Sequence, residues 1–301
     1  MNTVKMQDIT FSDDIFQPML TKTPIDAMFS YEGGIFPATN YMLIGGPGSG
    51  KTTLGLDVLA NVQTQDPDRK VLFISAEMNR IDMFGFVKRY PKFGELAILF
   101  TGEHTDQNIQ TIIEEELAIG YDLVLADSFV EIQESVIESE GMSRNQSEKW
   151  LIDLMNSHNL GANKAKKHTS FIMVQQVTKG GVFAGSNKLK HNTTGMCELR
   201  HSKDYSDERF LAFTKNRRGS KHERLFYSLE PSLHVKYDQK RLERDSEVRK
   251  LRKQEQDSIT SDKDALDQLL DSLPITISKE TKPTKINNSI NHFPNTEDLP
   301  F

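Results

Sequence analysis

An α/β fold with a mostly parallel sheet flanked by helices is predicted by three observations. Between Asn40 and about Asp238, short apolar runs alternate with longer amphipathic ones. The first five apolar runs are nearly continuous in Val, Ile, Leu and Phe, as strands covered on both faces are. A glycine-rich stretch, GGPGSGKT, joins the first such run to the first amphipathic one. Strand, helix and strand in alternation require right-handed crossovers, and hence a parallel sheet.

Residues 1–20 read as an N-terminal arm in which Ile9, Phe11, Ile15 and Phe16 are apolar groups for packing on this subunit or on a neighbour. The core is expected over 21–238. Its buried strands are YMLIGG, KVLFISAE, LAILFTG, YDLVLADS and TSFIMVQQV. Helices fit between them. KTTLGLDVLANV follows the first strand, and DQNIQTIIEEELAIG ends on Gly120, a residue suited to a helix C-cap. SEKWLIDLMNSHNL sets Trp150, Leu151, Leu154 and Met155 on one face. RFLAFTKN and RLFYSLE flank RRGS and are predicted to form an antiparallel C-terminal β-hairpin appended to the sheet. Residues 239–257, highly charged with sparse Leu and Val, read as an exposed charged helix. From 258 to 301 the composition is Ser, Thr, Asn, Lys and Asp with scattered Pro, which predicts a disordered linker with an acidic DLPF tip. Within it ALDQLLDSL suits one or two short amphipathic turns.

The 301 residues are ample for a sizeable core, and 37% hydrophobic content with a mean hydropathy of −0.52 suits a globular part plus a polar tail. Net charge is −6, so contact with nucleic acid requires a local basic patch. The single cysteine, Cys197, excludes an internal disulfide and reads as a small half-buried side chain in a reducing cytosol. Nothing at the N-terminus resembles a signal peptide, and no apolar run approaches the ~20 residues of a membrane helix. A cytoplasmic protein is expected, and a core without flanking domains suits a phage origin.

GGPGSGKT satisfies the phosphate-loop pattern, with the required strand before it and helix after it. The cradle is Gly45, Gly46, Pro47, Gly48, Ser49, Gly50, Lys51, Thr52 and Thr53. Its glycines let backbone N–H groups point inward, and the following helix offers its N-terminus to phosphates. Lys51 is placed to reach β- and γ-phosphates, and the Thr52 hydroxyl to ligate Mg²⁺. The expected cofactors are thus ATP and Mg²⁺. Ligands of such sheets sit at the carboxyl edge, where LVLADS brings Asp127 as a partner for Mg²⁺ through water. VLFISAEM brings Glu77 to the same edge, as a carboxylate to orient and deprotonate water; the alternative is a surface turn residue. Gln175 and Gln176 follow another buried strand, and a neutral amide there can bond the γ-phosphate.

These residues resemble the RecA-like P-loop ATPases, closest to the RadA/Sms branch. The segment TPIDAMFSYEGGIFPATNYMLIGG is similar to the stretch before that branch's phosphate loop. ISAEM is similar to its glutamate strand and to that of DnaB-type helicases. VTKGGVFAGSNKLKH and KNRRG are similar to its VTK-G and KNR-G segments, with Ser186, Lys190 and Arg218 departing from the pattern. The likeness covers about residues 20–238. The family's zinc-binding cysteines and protease-like domain have no counterpart here.

The resemblance implies that the KNR-G cations reach the ATP of an adjacent subunit, with Lys215 and Arg217 in that role. Arg218 and Lys221 either line a channel or stand in solvent. Such a shared site implies a head-to-tail homo-oligomer, a ring expected to be a hexamer. The segment after Gln176 is implied to face the axis and hold DNA through Lys179, Lys188 and Lys190. His191 lies beside them, Gly180, Gly181 and Gly185 allow reordering, and Phe183 either stacks on a base or packs internally. The second axial loop, VEIQESVIESEGMSRNQSE, is acidic, with Arg144 as its one basic residue apart from the lysine that follows.

NTEDLPF resembles the acidic tip of bacterial single-stranded-DNA-binding proteins. It would offer Asp298, Leu299, Pro300 and Phe301, with Glu297 beside them, to replication or repair proteins. The function expected is an ATP-driven DNA motor, a helicase or branch-migration ATPase, on single-stranded or branched DNA in replication, recombination or repair. Two alternatives stand beside it. One is a strand-exchange recombinase; the other is a non-motor ATP-binding adaptor that recruits replication proteins through its tail.

Overall fold

The five apolar runs form strands β1 (Asn40–Gly45), β2 (Val71–Ser75), β3 (Ala97–Phe100), β4 (Leu123–Asp127) and β5 (Ser170–Gln176). All pair in parallel, and four more strands extend the sheet: β6 (Gly195–His201), β7 (Arg209–Asn216), β8 (Leu225–Glu230) and β9 (His234–Tyr237). The order is β3-β2-β4-β5-β1-β6-β7-β8-β9. The computed structural model describes residues 3–104, 107–177, 187–202, 208–221, 223–230 and 234–272. The chain divides into a unit of residues 1–249 and a second of residues 250–301.

Register is what assembles the site. Gly45 at the end of β1 lies opposite Gln176 at the end of β5, and Ser75 of β2 lies opposite Asp127 of β4. Parallel strands in step bring their last residues to one edge. The alternation along each strand sorts side chains to two cores. Tyr41 and Leu43 of β1 join Leu123 and Leu125 of β4 on one face, while Met42 and Ile44 join Val124 and Ala126 on the other. Each fully buried large side chain contributes roughly 1.5–3 kcal/mol.

Helix α1 (Asp26–Phe29) precedes β1, and α2 (Lys51–Gln65) covers the first face. A Cβ at Gly55 of α2 would lie 2.7 Å from Leu125 Cδ1, so this glycine lets α2 sit close on β4. Helix α3 (Arg80–Arg89) follows β2 and opens with a capping box between Asn79 and Asp82. Helices α4 (Ile109–Leu117), α5 (Phe129–Glu140) and α6 (Arg144–Asn159) cover the second face. Gly120, at φ +95°, turns the chain just after α4. On α6, Leu151 and Met155 are buried, with Trp150 and Leu154 packed beside them. Helix α7 (Asn187–Asn192) leads into β6.

The predicted hairpin is present, since β7 and β8 pair antiparallel through Leu211 and Leu225. It belongs to a larger extension. β6 runs parallel to β1 and antiparallel to β7, and β9 closes the edge against β8. The sequence hides β6 because Glu198 and Arg200 interrupt its apolar pattern, and β9 because it spans only His234–Tyr237.

Three expectations are corrected. The acidic stretch after Asp127 is not an axial loop: it is α5, a short turn and α6. Ser128 caps α5, Gly141 ends it at φ +64°, Ser143 and Gln146 form the capping box of α6, and Phe129, Ile132 and Val136 bury in the core. Cys197 is fully buried rather than half-buried, and that burial pushes its thiol pKa up. The charged helix, α8, runs Gln239–Ser272, so residues 258–272 of the expected linker are helical. Residues 273–301, with Asp298, Leu299, Pro300 and Phe301, lie outside the described residues, as do Lys179, Gly180, Gly181, Phe183 and Gly185. In the N-terminal arm Ile9, Phe11 and Phe16 are exposed, with Phe11 edge-on to His168. Among the described residues, no helix is long and apolar enough to cross a membrane.

Candidate nucleotide-binding site

The phosphate loop leaves β1 at Gly45 and enters α2 at Lys51. Neighbouring strands press on it closely. A Cβ at Gly45 would lie 2.7 Å from Ser49 Oγ and 2.8 Å from the Leu199 carbonyl of β6. Gly50, the N-cap of α2, has φ +92°, and a Cβ there would meet Leu229 Cδ1 of β8 at 2.6 Å. From the same strand the buried Tyr227 hydroxyl donates to the Ser49 carbonyl at 2.8 Å. Tyr227, Leu229 and Leu199 thus shape the loop, although no motif marks them. For Tyr227 and Leu229 the one signal is membership of an apolar run, which says that they face a core and not what they touch there; Leu199, between Glu198 and Arg200, has none.

Lys51 is nearly buried, and its Nζ donates to the carbonyls of Gly45 at 3.0 Å and Gly46 at 3.1 Å. Burial lowers its pKa, against the opposing pull of Asp127 and Glu77. The Thr52 hydroxyl donates to Asp127 Oδ2. Asp127 is 1% exposed, and its pKa is pushed up to about 6. Burial is the main cause; nearby Glu77 adds to it, while the Thr52 hydrogen bond and Lys51 oppose it. Asp127 Oδ1 is buried with no partner among the described residues.

That orphaned oxygen tests the fit to Mg²⁺. Among the described residues no cluster of three or more His, Cys, Asp or Glu side chains could hold a metal by itself. One hydroxyl and one carboxylate oxygen are what Mg²⁺ takes when phosphates and water complete its octahedron. Thr52 and Asp127 therefore fit that ion in company with a nucleotide.

Above Asp127 the register brings in two more groups. Gln176 Nε2 donates to Glu77 Oε1 at 3.0 Å, whereas Gln175 is buried beneath. Glu77 is held at the edge by a turn in which Ser75 Oγ bonds the backbone of Met78 on both its N–H and C=O sides. The Ala76 N–H is anchored by the Asp127 carbonyl at 2.8 Å.

Lys215 and Arg217 stand apart from these residues. Lys215 Nζ donates to the carbonyls of Lys190 at 2.5 Å and His191 at 3.3 Å, and Arg217 Nη2 donates to the His191 carbonyl at 2.7 Å. Those carbonyls end α7, which exposes Lys188 and Lys190 and buries Leu189. Arg218 is exposed and lies over the Phe36 ring at 4.7 Å, and Lys221 is exposed. The segment is shaped by buried Asn216, a residue whose role its neighbours in sequence do not disclose. Its amide donates to the carbonyls of Met28 and Phe29 and accepts from the N–H groups of Arg218 and Gly219.

No family model matches the chain. The chain is 26% identical over 191 residues to the DNA repair protein RadA of Listeria monocytogenes, covering 64% of this chain and 39% of that protein. To the DNA repair protein RadA of Campylobacter jejuni it is 28% identical over 159 residues, covering 53% of this chain and 33% of that protein. The chain thus spans about a third to two-fifths of the length of these curated relatives. A KaiC-like protein from Pyrococcus horikoshii matches in structure with a TM-score of 0.53 at 18% identity, covering 74% of this chain and 99% of that one. The flagellar accessory protein FlaH from Methanocaldococcus jannaschii matches with a TM-score of 0.53 at 12% identity, covering 73% of this chain and 96% of that one. The fold is that of the RecA-like P-loop ATPases, and the sequence is similar to their RadA branch.

Proposed function

We propose that this chain hydrolyses ATP as one subunit of a head-to-tail homo-oligomer, a ring, and uses the energy to move on single-stranded or branched DNA. The reading is a helicase or branch-migration ATPase in replication, recombination or repair. One observation carries it. The loop, Thr52, Asp127, Glu77 and Gln176 converge at one sheet edge, while Lys215 and Arg217 make their bonds elsewhere. Lys51 is the one cation among these converging residues; phosphoryl transfer gains from further positive charge at the γ-phosphate, and a second copy can supply it.

The roles follow from placement. Backbone N–H groups of the loop and the α2 N-terminus receive the phosphates, and Lys51 swings from the Gly45 and Gly46 carbonyls to the β- and γ-oxygens. Thr52 and Asp127 would hold Mg²⁺, which would supply positive charge to the bound phosphates. Glu77 orients water and accepts its proton. Gln176, bonded to Glu77, has an amide placed to sense the γ-phosphate. Lys215 and Arg217 of a second copy stabilise the charge that shifts in the transition state. Lys188 and Lys190, exposed on α7, offer charge to DNA phosphates, a small footprint that a ring multiplies. The DNA repair proteins named above support the choice of DNA as the track.

The test is ATP turnover with and without single-stranded DNA. Stimulation by DNA is expected of a motor. Unstimulated turnover with partner recruitment intact would favour the adaptor instead.

A further inference from the structure

Within one subunit Lys215 and Arg217 already have ligands. The Lys190 and His191 carbonyls sit at the C-terminal end of α7, where backbone oxygens lack helical partners and the helix carries partial negative charge. A helix of six residues is too short to stand by its own hydrogen bonds. Leu189, fully buried, anchors it from one side. The two cations fasten its end to β7, and the Arg217 N–H adds a bond to the Thr194 carbonyl at 3.0 Å.

We propose that the α7 carbonyls are the resting ligands of Lys215 and Arg217, and that a nucleoside triphosphate bound by an adjoining copy draws both cations away. Completing the neighbour's site then strips both cations from the end of α7, leaving the Thr193 hydroxyl on the Lys190 carbonyl. The inference rests on the shared site proposed above and adds a regulation to it: the hold on α7 is set by the neighbour's nucleotide. Chemistry favours the exchange. A phosphate oxygen is charged where a carbonyl is neutral, and charge-assisted bonds are about twice as strong. Partial burial and the proximity of Arg217 and Lys190 also weaken the hold on the Lys215 proton, so a nearby anion relieves that site. Since α7 carries Lys188 and Lys190, DNA contact would respond to the neighbour's nucleotide.

Hydrogen exchange over residues 187–194 tests this, on the full chain with and without adenylyl imidodiphosphate and Mg²⁺, with nucleotide binding and assembly measured alongside. In the assembled wild type the nucleotide should speed exchange there about tenfold or more, the weight of one charge-assisted bond. Lys215→Ala with Arg217→Ala should exchange fast without nucleotide and show no further change. Lys215→Arg keeps the charge and should stay protected at rest, which separates loss of the cap from loss of the fold. Binding and assembly with unchanged or slower exchange would overturn the proposal, as would an equal rise in the double alanine variant. Absence of nucleotide binding or of assembly would instead remove the shared-site reading, and the inference with it.

Discussion

Gln176 donates to Glu77 across 3.0 Å although their strands, β5 and β2, are not neighbours: β4 lies between them. The bond passes over the carboxyl end of β4, where Asp127 sits. An amide that touches both the acid and the γ-phosphate can report on both. Glu77→Gln should lower turnover by about 10²–10⁴ while leaving nucleotide binding intact, as loss of a general base does. Gln176→Ala should leave binding intact as well but reduce any stimulation by DNA. Equilibrium nucleotide binding and steady-state turnover on the same preparations check both. Undiminished turnover in Glu77→Gln would move the base elsewhere.

Asp127 has a pKa raised to about 6 by burial, so its ionisation opposes folding of the free chain. For an acid whose folded pKa lies above its unfolded value, the folded state binds more protons between the two. Stability from this group is therefore present at low pH and is lost as pH rises from about 4 through 6. The loss is on the order of 3 kcal/mol. Asp127→Asn removes the charge, so above pH 6 the nucleotide-free variant should melt at the wild-type temperature or higher. Mg²⁺ favours the ionised carboxylate, so Mg-nucleotide affinity should rise with pH over the same window in the wild type and not in Asp127→Asn. Thermal melts and nucleotide titrations from about pH 5 to 7.5 measure both, and a variant less stable than wild type above pH 6 would contradict the account.

Tyr227 offers a separate test of how the phosphate loop keeps its shape. Its hydroxyl is buried and donates to the Ser49 carbonyl, and Leu229 two residues on covers Gly50. Tyr227→Phe keeps the ring and deletes the bond, worth about 1 kcal/mol. KM for ATP should rise about fivefold with kcat nearly unchanged, because the loop is displaced before the chemistry begins. Gly50→Ala should be far worse: φ +92° disfavours any side chain, and the new Cβ would strike Leu229. A fall in kcat at constant KM in Tyr227→Phe would instead assign the tyrosine to the chemical step.

Strands β1, β2, β4 and β5 were legible because they are buried on both faces. Continuous apolar runs that end in GGPGSGKT, SAE and ADS fit little else than buried strands meeting a phosphate site. The placement of Asp127, Glu77 and Gln176 at those ends was legible for the same reason. The antiparallel half was only partly so. β6 carries Glu198 and Arg200 toward the rim, and its pairing with β1 depends on a crossover no local pattern announces. The α5–α6 pair was hidden by its acidic surface: Glu131, Glu134, Glu138 and Glu140 dominate the composition, while the buried Phe129, Ile132 and Val136 are few. The bonds of Lys215 and Arg217 were beyond reach, since backbone carbonyls as acceptors leave no trace in residue identity.

Two of the proposed groups are expected on different copies, so subunits damaged at different places should mend one another. Arg217→Ala lacks the donated cation but keeps its own Glu77, and Glu77→Gln lacks the base but donates Arg217 normally. In a mixed assembly some interfaces pair an intact Glu77 site with an intact Arg217. At equal mixing with random order, about one interface in four does so, and turnover should recover to a comparable fraction of wild type if each site works independently. If both groups served the same copy, every site in the mixture would still be defective. Turnover across mixing ratios, with mixed assembly verified by labelled subunits, reads the difference directly. A flat line at the level of the parent variants would place Arg217 and Glu77 in one site and end the shared-site account.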